Sequence, residues 1–190
     1  MNKKKKILLL SDDLRMSSGI ATVSRQLAMG TVHKYDWVQL GAAIKHPEHG
    51  KMIDISEDVR KKTGVEDANI RVLANSGYGN ADLLRHLINV ERPDIILHFT
   101  DPRYWIWLYE IAHEIREMVP LTFLTIWDSL PSPTYNANFY ASCDSLFCIS
   151  KQTYGIVNRV LHNEFGNELN ILREGYMSLE KTWDDKNLWL

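Results

Sequence analysis

Residues 6–28 constrain the fold more tightly than any other segment. The apolar run Ile7, Leu8, Leu9 and Leu10 passes through Ser11, Asp12 and Asp13 into a turn carrying Ser17, Ser18 and Gly19. The run is short enough for a buried strand, and the turn opens onto a 3.6-period segment with Ile20, Val23, Ser24 and Leu27 on one face. Strand, small-residue turn and helix in that order make the first unit of a doubly wound α/β domain. The turn matters because unpaired N–H groups and the positive end of the helix dipole lie at a helix start, where an anion can dock. Gly19 lets a ligand approach the backbone, and Ser17 or Ser18 suits the N-cap position. The loop is open to two readings, ligand contact and capping alone. It lacks the three spaced glycines of the dinucleotide fingerprint.

Bulk composition removes other classes. At 190 residues the chain is long enough for one domain with a substantial core. A formal charge of -2 leaves no general basic footprint for nucleic acid, so no nucleic-acid partner is expected. No apolar run approaches the roughly 20 residues that span a bilayer, so no integral membrane segment is expected. Lys3 to Lys6 followed by four apolar residues mimics a signal peptide, but the run is short and meets Asp12 and Asp13 at once. The only cysteines, Cys143 and Cys148, have neither redox nor zinc spacing, which suits reduced core residues in a cytoplasmic protein. The seven histidines show no metal-type spacing, and no metal is expected.

Strand-like runs alternate with helical periods along the remainder, the pattern of a mainly parallel Rossmann-like sheet with helices on both faces. Strands are expected at 37–44, 70–74, 94–99, 121–126, 146–149 and 170–173. Between the first two of these, 46–50 reads as a turn and 51–69 as an excursion with a short helix. The helix after Ser76, Gly77 and Gly79 starts at Asn80 or Asp82 and offers Leu83, Leu84, Leu87, Ile88 and Val90 as its apolar face. A helix over 103–119 buries Trp105, Leu108, Ala112, Ile115 and Val119, leaving Tyr104 and Trp107 to line a groove or face a loop. Residues 127–135 form a proline-bearing loop, and Ser150 caps the helix 151–165.

Ligands of open parallel sheets bind beyond the carboxyl ends of the strands. Those ends carry Asp12, Asp13, Ser18 and Gly19; Ser76, Gly77 and Gly79; His98 and Asp101; Trp127, Asp128 and Ser129; Ser150; and Glu174 and Gly175. Asp12, Asp13, Asp101 and Asp128 are open to catalytic or to capping and solvated roles. His98, inside an apolar strand, is a hydrogen-bonded core residue or a base.

In order and spacing, five segments resemble the N-terminal domain of glycosyltransferases with two facing Rossmann-like domains, the GT-B architecture, above all the retaining type that uses nucleotide-sugars. They are the opening strand, loop and helix over 6–27; Arg92-Pro93-Asp94-Ile95-Ile96-Leu97-His98; the strand ending at Trp127-Asp128; the Cys143-Asp144 strand running into Ser150-Lys151-Gln152-Thr153; and Ile171-Leu172-Arg173-Glu174-Gly175. The resemblance implies a Rossmann-like acceptor-side domain over 1–180, with 181–190 as the start of an interdomain crossover or a tail. It implies a nucleotide-sugar donor as substrate, no tightly bound cofactor and a sugar-type acceptor. Ser17, Ser18 and Gly19 would approach the donor phosphates, and Ser76, Gly77, Trp127, Asp128 and Ser129 would contact the acceptor or sugar. Asp128, His98 and Asp101 are the catalytic candidates. Retaining members need no side-chain nucleophile, because the departing phosphate helps take the acceptor proton.

Two departures from the family pattern stand out. Trp127, beside Asp128, occupies the place where many members have a histidine, so that histidine's role does not transfer; Trp127 could stack on a sugar or base, with Asp128 accepting a hydroxyl hydrogen bond. The family's donor-binding C-terminal domain has no counterpart in these residues, so the chain alone is expected to be inactive. An apolar patch at Trp183, Leu188, Trp189 and Leu190 suits that missing partner or self-association. The alternative is a non-catalytic Rossmann-like module that binds a small anion or sugar or serves as a partner subunit.

Overall fold

The computed structural model describes residues 3–43 and 45–165. Its strands are β1 (Lys5–Asp12), β2 (Tyr35–Ala43), β3 (Met52–Asp54), β4 (Ile70–Ser76), β5 (Ile95–Phe99), β6 (Leu121–Thr125) and β7 (Ser145–Cys148). Its helices are α1 (Gly19–Thr31), α2 (Ser56–Thr63), α3 (Ala81–Glu91), α4 (Ile106–Glu110), α5 (Ala112–Met118), α6 (Ala137–Ala141) and α7 (Lys151–Phe165). The seven strands form one mostly parallel sheet in the order β3-β4-β2-β1-β5-β6-β7, a Rossmann-like doubly wound α/β fold. The chain divides into two compact units, Met1–Thr122 and Phe123–Leu190. The expected strand at 170–173, Glu174, Gly175, the boundary at 180 and the apolar patch beyond it lie outside the described residues.

In the first unit β1 pairs in parallel with β2 on one side and with β5 on the other. The chain leaves β1 toward β2 and β4, then returns to lay β5 against β1's free edge, so the order reverses between β1 and β5. Loops that part at such a reversal open a crevice beyond the carboxyl ends of the two strands. The register sets Leu10 beside His98 and Ser11 beside Phe99, which brings the loops after Asp12 and after Phe99 to that crevice. Leu8, Leu9 and Leu10 are fully buried, as a strand covered on both faces requires.

Local differences from the sequence expectations have physical causes. The sheet-facing side of α1 is Ala21, Ser24 and Ala28 rather than the larger Ile20, Val23 and Leu27, which are only half-buried. Small residues there let the helix approach the sheet closely. The excursion at 51–69 contains β3, an antiparallel edge strand on β4 too short to show a period, ahead of α2. The expected helix over 103–119 is a 3-10 turn (Pro102–Trp105) followed by α4 and α5, parted at Ile111. Its buried stripe is nonetheless Trp105, Leu108, Ala112, Ile115 and Val119, because the interruption keeps the same side against the sheet.

In α3 the buried face is Leu84, Leu87, Ile88 and Glu91, while Val90 is 62% exposed and Leu83 half-buried. Asn80 is the N-cap, its side chain accepting from the Leu83 N–H at 2.9 Å. Asn80→Ala is expected to cost about 1 kcal/mol, read as a lower urea midpoint at unchanged slope.

In the second unit, Ser150 caps α7 by accepting from the Thr153 N–H at 3.1 Å, as expected. The loop after β6 gives way to a 3-10 turn (Thr134–Asn136) and α6, with Phe123 and Tyr140 rings packed at 5.9 Å.

Candidate functional site

The β1–α1 turn is held by a buried polar stitch. The Ser18 hydroxyl accepts from the Ala21 N–H at 3.0 Å, making Ser18 rather than Ser17 the cap, and donates to Asp12 Oδ2 at 2.8 Å. Beneath the turn, the Gln39 amide donates to the Asp12 carbonyl at 2.7 Å and to the Ser11 hydroxyl at 3.0 Å. The Gln39 side-chain oxygen accepts from the Leu14 N–H at 3.0 Å. Gln39 escaped the sequence reading because it sits in an otherwise apolar strand; a glutamine in a buried strand is itself the signal, since its amide must find partners. Gly19 is exposed, and a Cβ placed on it would meet nothing within 4 Å, so the approach to the start of α1 is open.

Asp13 turns the other way. Its fully buried carboxylate accepts from Arg15 Nε at 3.0 Å, Arg15 Nη2 at 2.7 Å and the Arg15 N–H at 2.8 Å, with His46 Nε2 at 3.0 Å. Arg15 Nη1 also donates to Glu48 at 2.8 Å. His46 Nδ1 accepts from the Glu48 N–H at 3.1 Å, so the ring's proton is left to Nε2, which donates it to Asp13. Asp13 is therefore the counter-ion of a closed ion-pair cluster.

Ser76 and Gly77 anchor loops. Ser76 Oγ accepts from the His46 N–H at 3.0 Å, the Ser76 N–H donates to His49 Nδ1 at 2.9 Å, and the Gly77 N–H donates to the Ala43 carbonyl. Beyond them Gly79 has φ +74°, and a Cβ there would stand 2.9 Å from Leu40 Cδ2, so the turn requires glycine. This turn projects Tyr78, whose carbonyl accepts from Trp107 Nε1 at 3.3 Å. The Tyr78 ring stacks on Tyr104 at 4.8 Å and an interplanar angle of 11°, with Trp105 in edge contact at 5.9 Å. Tyr104 is 58% exposed, so the stack faces solvent. Tyr78 was absent from the sequence-based candidates because its partner follows a different strand.

At the end of β5, Asp101 caps the 3-10 turn by accepting from the Arg103 N–H at 3.0 Å and pairs with the Arg103 guanidinium. That guanidinium holds the Asp101 carboxyl below its usual range, so it is ionised at neutral pH. The Tyr78 hydroxyl is held above its usual range, first by partial burial and then by Asp12, Tyr104 and Asp101. Both strand-end carboxylates thus act on the one phenol. His98 lies fully buried behind, its Nδ1 2.7 Å from the Tyr109 hydroxyl. Burial pushes its pKa down to about 3, so it is a neutral packing group and a weak base at physiological pH.

Trp127, Asp128 and Ser129 belong to the second unit. Trp127 Nε1 donates to the Ser129 carbonyl at 2.7 Å, with the indole edge-on to Tyr135 at 6.0 Å. The Asp128 carbonyl accepts from Gln152 at 2.7 Å, leaving an exposed side chain on a loop tied to α7. Cys148 is no nucleophile: burial pushes its thiol up to about 12.

Among the described residues no His/Cys/Asp/Glu group could hold a metal ion, and no helix is long and apolar enough to cross a membrane. The chain matches no family model and no curated protein.

Proposed function

We propose that the chain supplies the acceptor-side half of a glycosyltransferase that uses nucleotide-sugar donors in the cytoplasm, with a second Rossmann-like domain holding the donor. The observation that carries the proposal is the crevice between β1 and β5. There Asp12 accepts from the Ser18 hydroxyl and Asp101 accepts from the Tyr104 N–H through its carbonyl, and the exposed Tyr104, stacked on the partly buried Tyr78, offers an apolar face to a sugar ring. The open approach at Gly19 suits the donor phosphates at the start of α1. Transfer from a nucleotide-sugar by the retaining route needs no side-chain nucleophile, consistent with the inert Cys148 and the buried His98.

A non-catalytic sugar-binding module is the second reading. It is favoured by the engagement of Asp13 with Arg15 and of Asp101 with Arg103, which gives these carboxylates structural work.

Protein-observed NMR with monosaccharides, UDP, GDP and their sugar conjugates tests the proposal. The expected result is saccharide-induced shifts at Asp12, Tyr78 and Tyr104, and nucleotide-sugar shifts at Ser18 and Gly19 that Gly19→Val removes. A well-folded sample whose resonances respond to none of these would sink the glycosyltransferase reading. Saccharide shifts alone would leave the module.

A further inference from the structure

We infer that the Tyr104–Asp12–Asp101 subsite of the β1–β5 crevice takes an acceptor that carries a positively charged amine, that is, an amino sugar with a free ammonium group. The inference rests on the glycosyltransferase reading and names the acceptor class for the same site.

The charge balance comes first. Asp12 and Asp101 follow the register-paired Ser11 and Phe99 at the ends of β1 and β5, and the Tyr104 N–H donates to the Asp101 carbonyl at 3.2 Å, whereas the guanidinium among these groups, Arg103, is bound to Asp101 through Nε and Nη2. The neighbouring cation, Arg15, is spent on Asp13 and Glu48. Two carboxylates against one guanidinium leave net negative charge where a ligand would lie. Asp12 Oδ2 already accepts the Ser18 hydroxyl, which fixes the carboxylate's orientation.

The aromatic wall supplies an independent preference. The Tyr78 and Tyr104 rings are stacked nearly parallel, and Tyr104 is 58% exposed. Behind them lies the fully buried Trp105, whose Nε1 has no hydrogen-bond partner and whose ring also packs on Trp107 at 5.7 Å. Aromatic faces attract an ammonium through their quadrupole, and they attract the C–H face of a sugar through dispersion. An amino sugar satisfies both, and its ammonium finds a carboxylate at the edge of the same wall. A neutral sugar would use the wall and leave the negative charge without a counter-ion.

Titration of the full chain with glucosamine, glucose and N-acetylglucosamine at about pH 6, where a primary amine carries its proton, tests this. Glucosamine is expected to bind about tenfold more tightly than glucose or the acetylated sugar, in keeping with a partly desolvated ammonium on an aromatic face. Asp12→Asn keeps an oxygen for the Ser18 hydroxyl while removing the charge, and Tyr104→Leu changes an exposed side chain, so both variants should fold. Each is expected to bring glucosamine down to the affinity of glucose. Equal binding of the three sugars by the unaltered protein would overturn the amine inference and leave the glycosyltransferase reading standing. A glucosamine preference that survives both substitutions would overturn it as well. Binding of no sugar by a folded sample would overturn both.

Discussion

Asp13→Ala is expected to destabilise the chain by about 3 kcal/mol, because it leaves the Arg15 guanidinium in a half-buried site with its buried counter-ion gone and only the more exposed Glu48 to pair with. The carboxylate is fully buried and takes three hydrogen bonds from Arg15 and one from His46, so the substitution removes the centre of the cluster. Packing adds to the loss: a Cβ on Gly41 would lie 3.0 Å from Asp13 Oδ2, which shows how closely β2 encloses the carboxylate. Urea denaturation should show a lower midpoint at unchanged slope. The pH dependence carries a definite sign. Burial alone would raise the Asp13 pKa, but the Arg15 hydrogen bonds and charge, with a smaller electrostatic contribution from the His46 ring, outweigh it and hold the carboxyl below 3.8. A depressed folded pKa contributes stability that is present above the unfolded value and lost as pH falls through the folded one. The gap between unaltered and variant proteins should therefore begin to narrow below about pH 4 and go on shrinking as pH falls through the depressed Asp13 value, until only the packing part remains. A gap that stays constant on acidification would show that the cluster stabilises by packing alone.

Glu91→Ala should cost about 2–3 kcal/mol for a related reason at the opposite end of the sheet. The Glu91 carboxylate is nearly buried at the end of α3 and holds two cations, Arg71 from β4 and Lys6 from β1. Burial would raise its pKa, but Lys6 and Arg71 together hold it below 4.5. Its contribution is thus also present at neutral pH and lost in acid. The expected loss is slightly smaller than at Asp13 because the Glu91 side chain keeps some contact with water, whereas that of Asp13 keeps none. Replacing all three with Lys6→Met, Arg71→Met and Glu91→Leu should recover most of the stability, since apolar packing avoids the desolvation of three charges. A triple variant as unstable as Glu91→Ala would mean that the ionic geometry itself is needed to join β1, β4 and α3.

The sequence by itself determined the succession of units in this protein. Leu8 to Leu10 read as a buried strand because a strand covered on both faces must be apolar throughout. Ser150 read as a cap, and Asn80 as one of two candidates with Asp82, because a helix start needs an oxygen for its unpaired N–H groups. The stripe from Trp105 to Val119 read as buried because its spacing returns to one helical face, even though α4 and α5 are separate helices. Each of these signals is local, arising from what one element needs in order to be covered.

Partners were another matter. Asp12 and Asp13 are adjacent and chemically alike, yet one points to Ser18 and the other into Arg15 and His46, a difference decided by the turn's path and by the 46–50 loop folding back. Tyr78 meets Tyr104 only because β4 and β5 enclose β2 and β1 with their carboxyl ends on one side. His98 lost its claim as a base because Trp105 and Tyr109 close over it. Periodicity reports whether a side chain faces inward; only the crossovers, which bring distant segments to one edge, decide what it faces there.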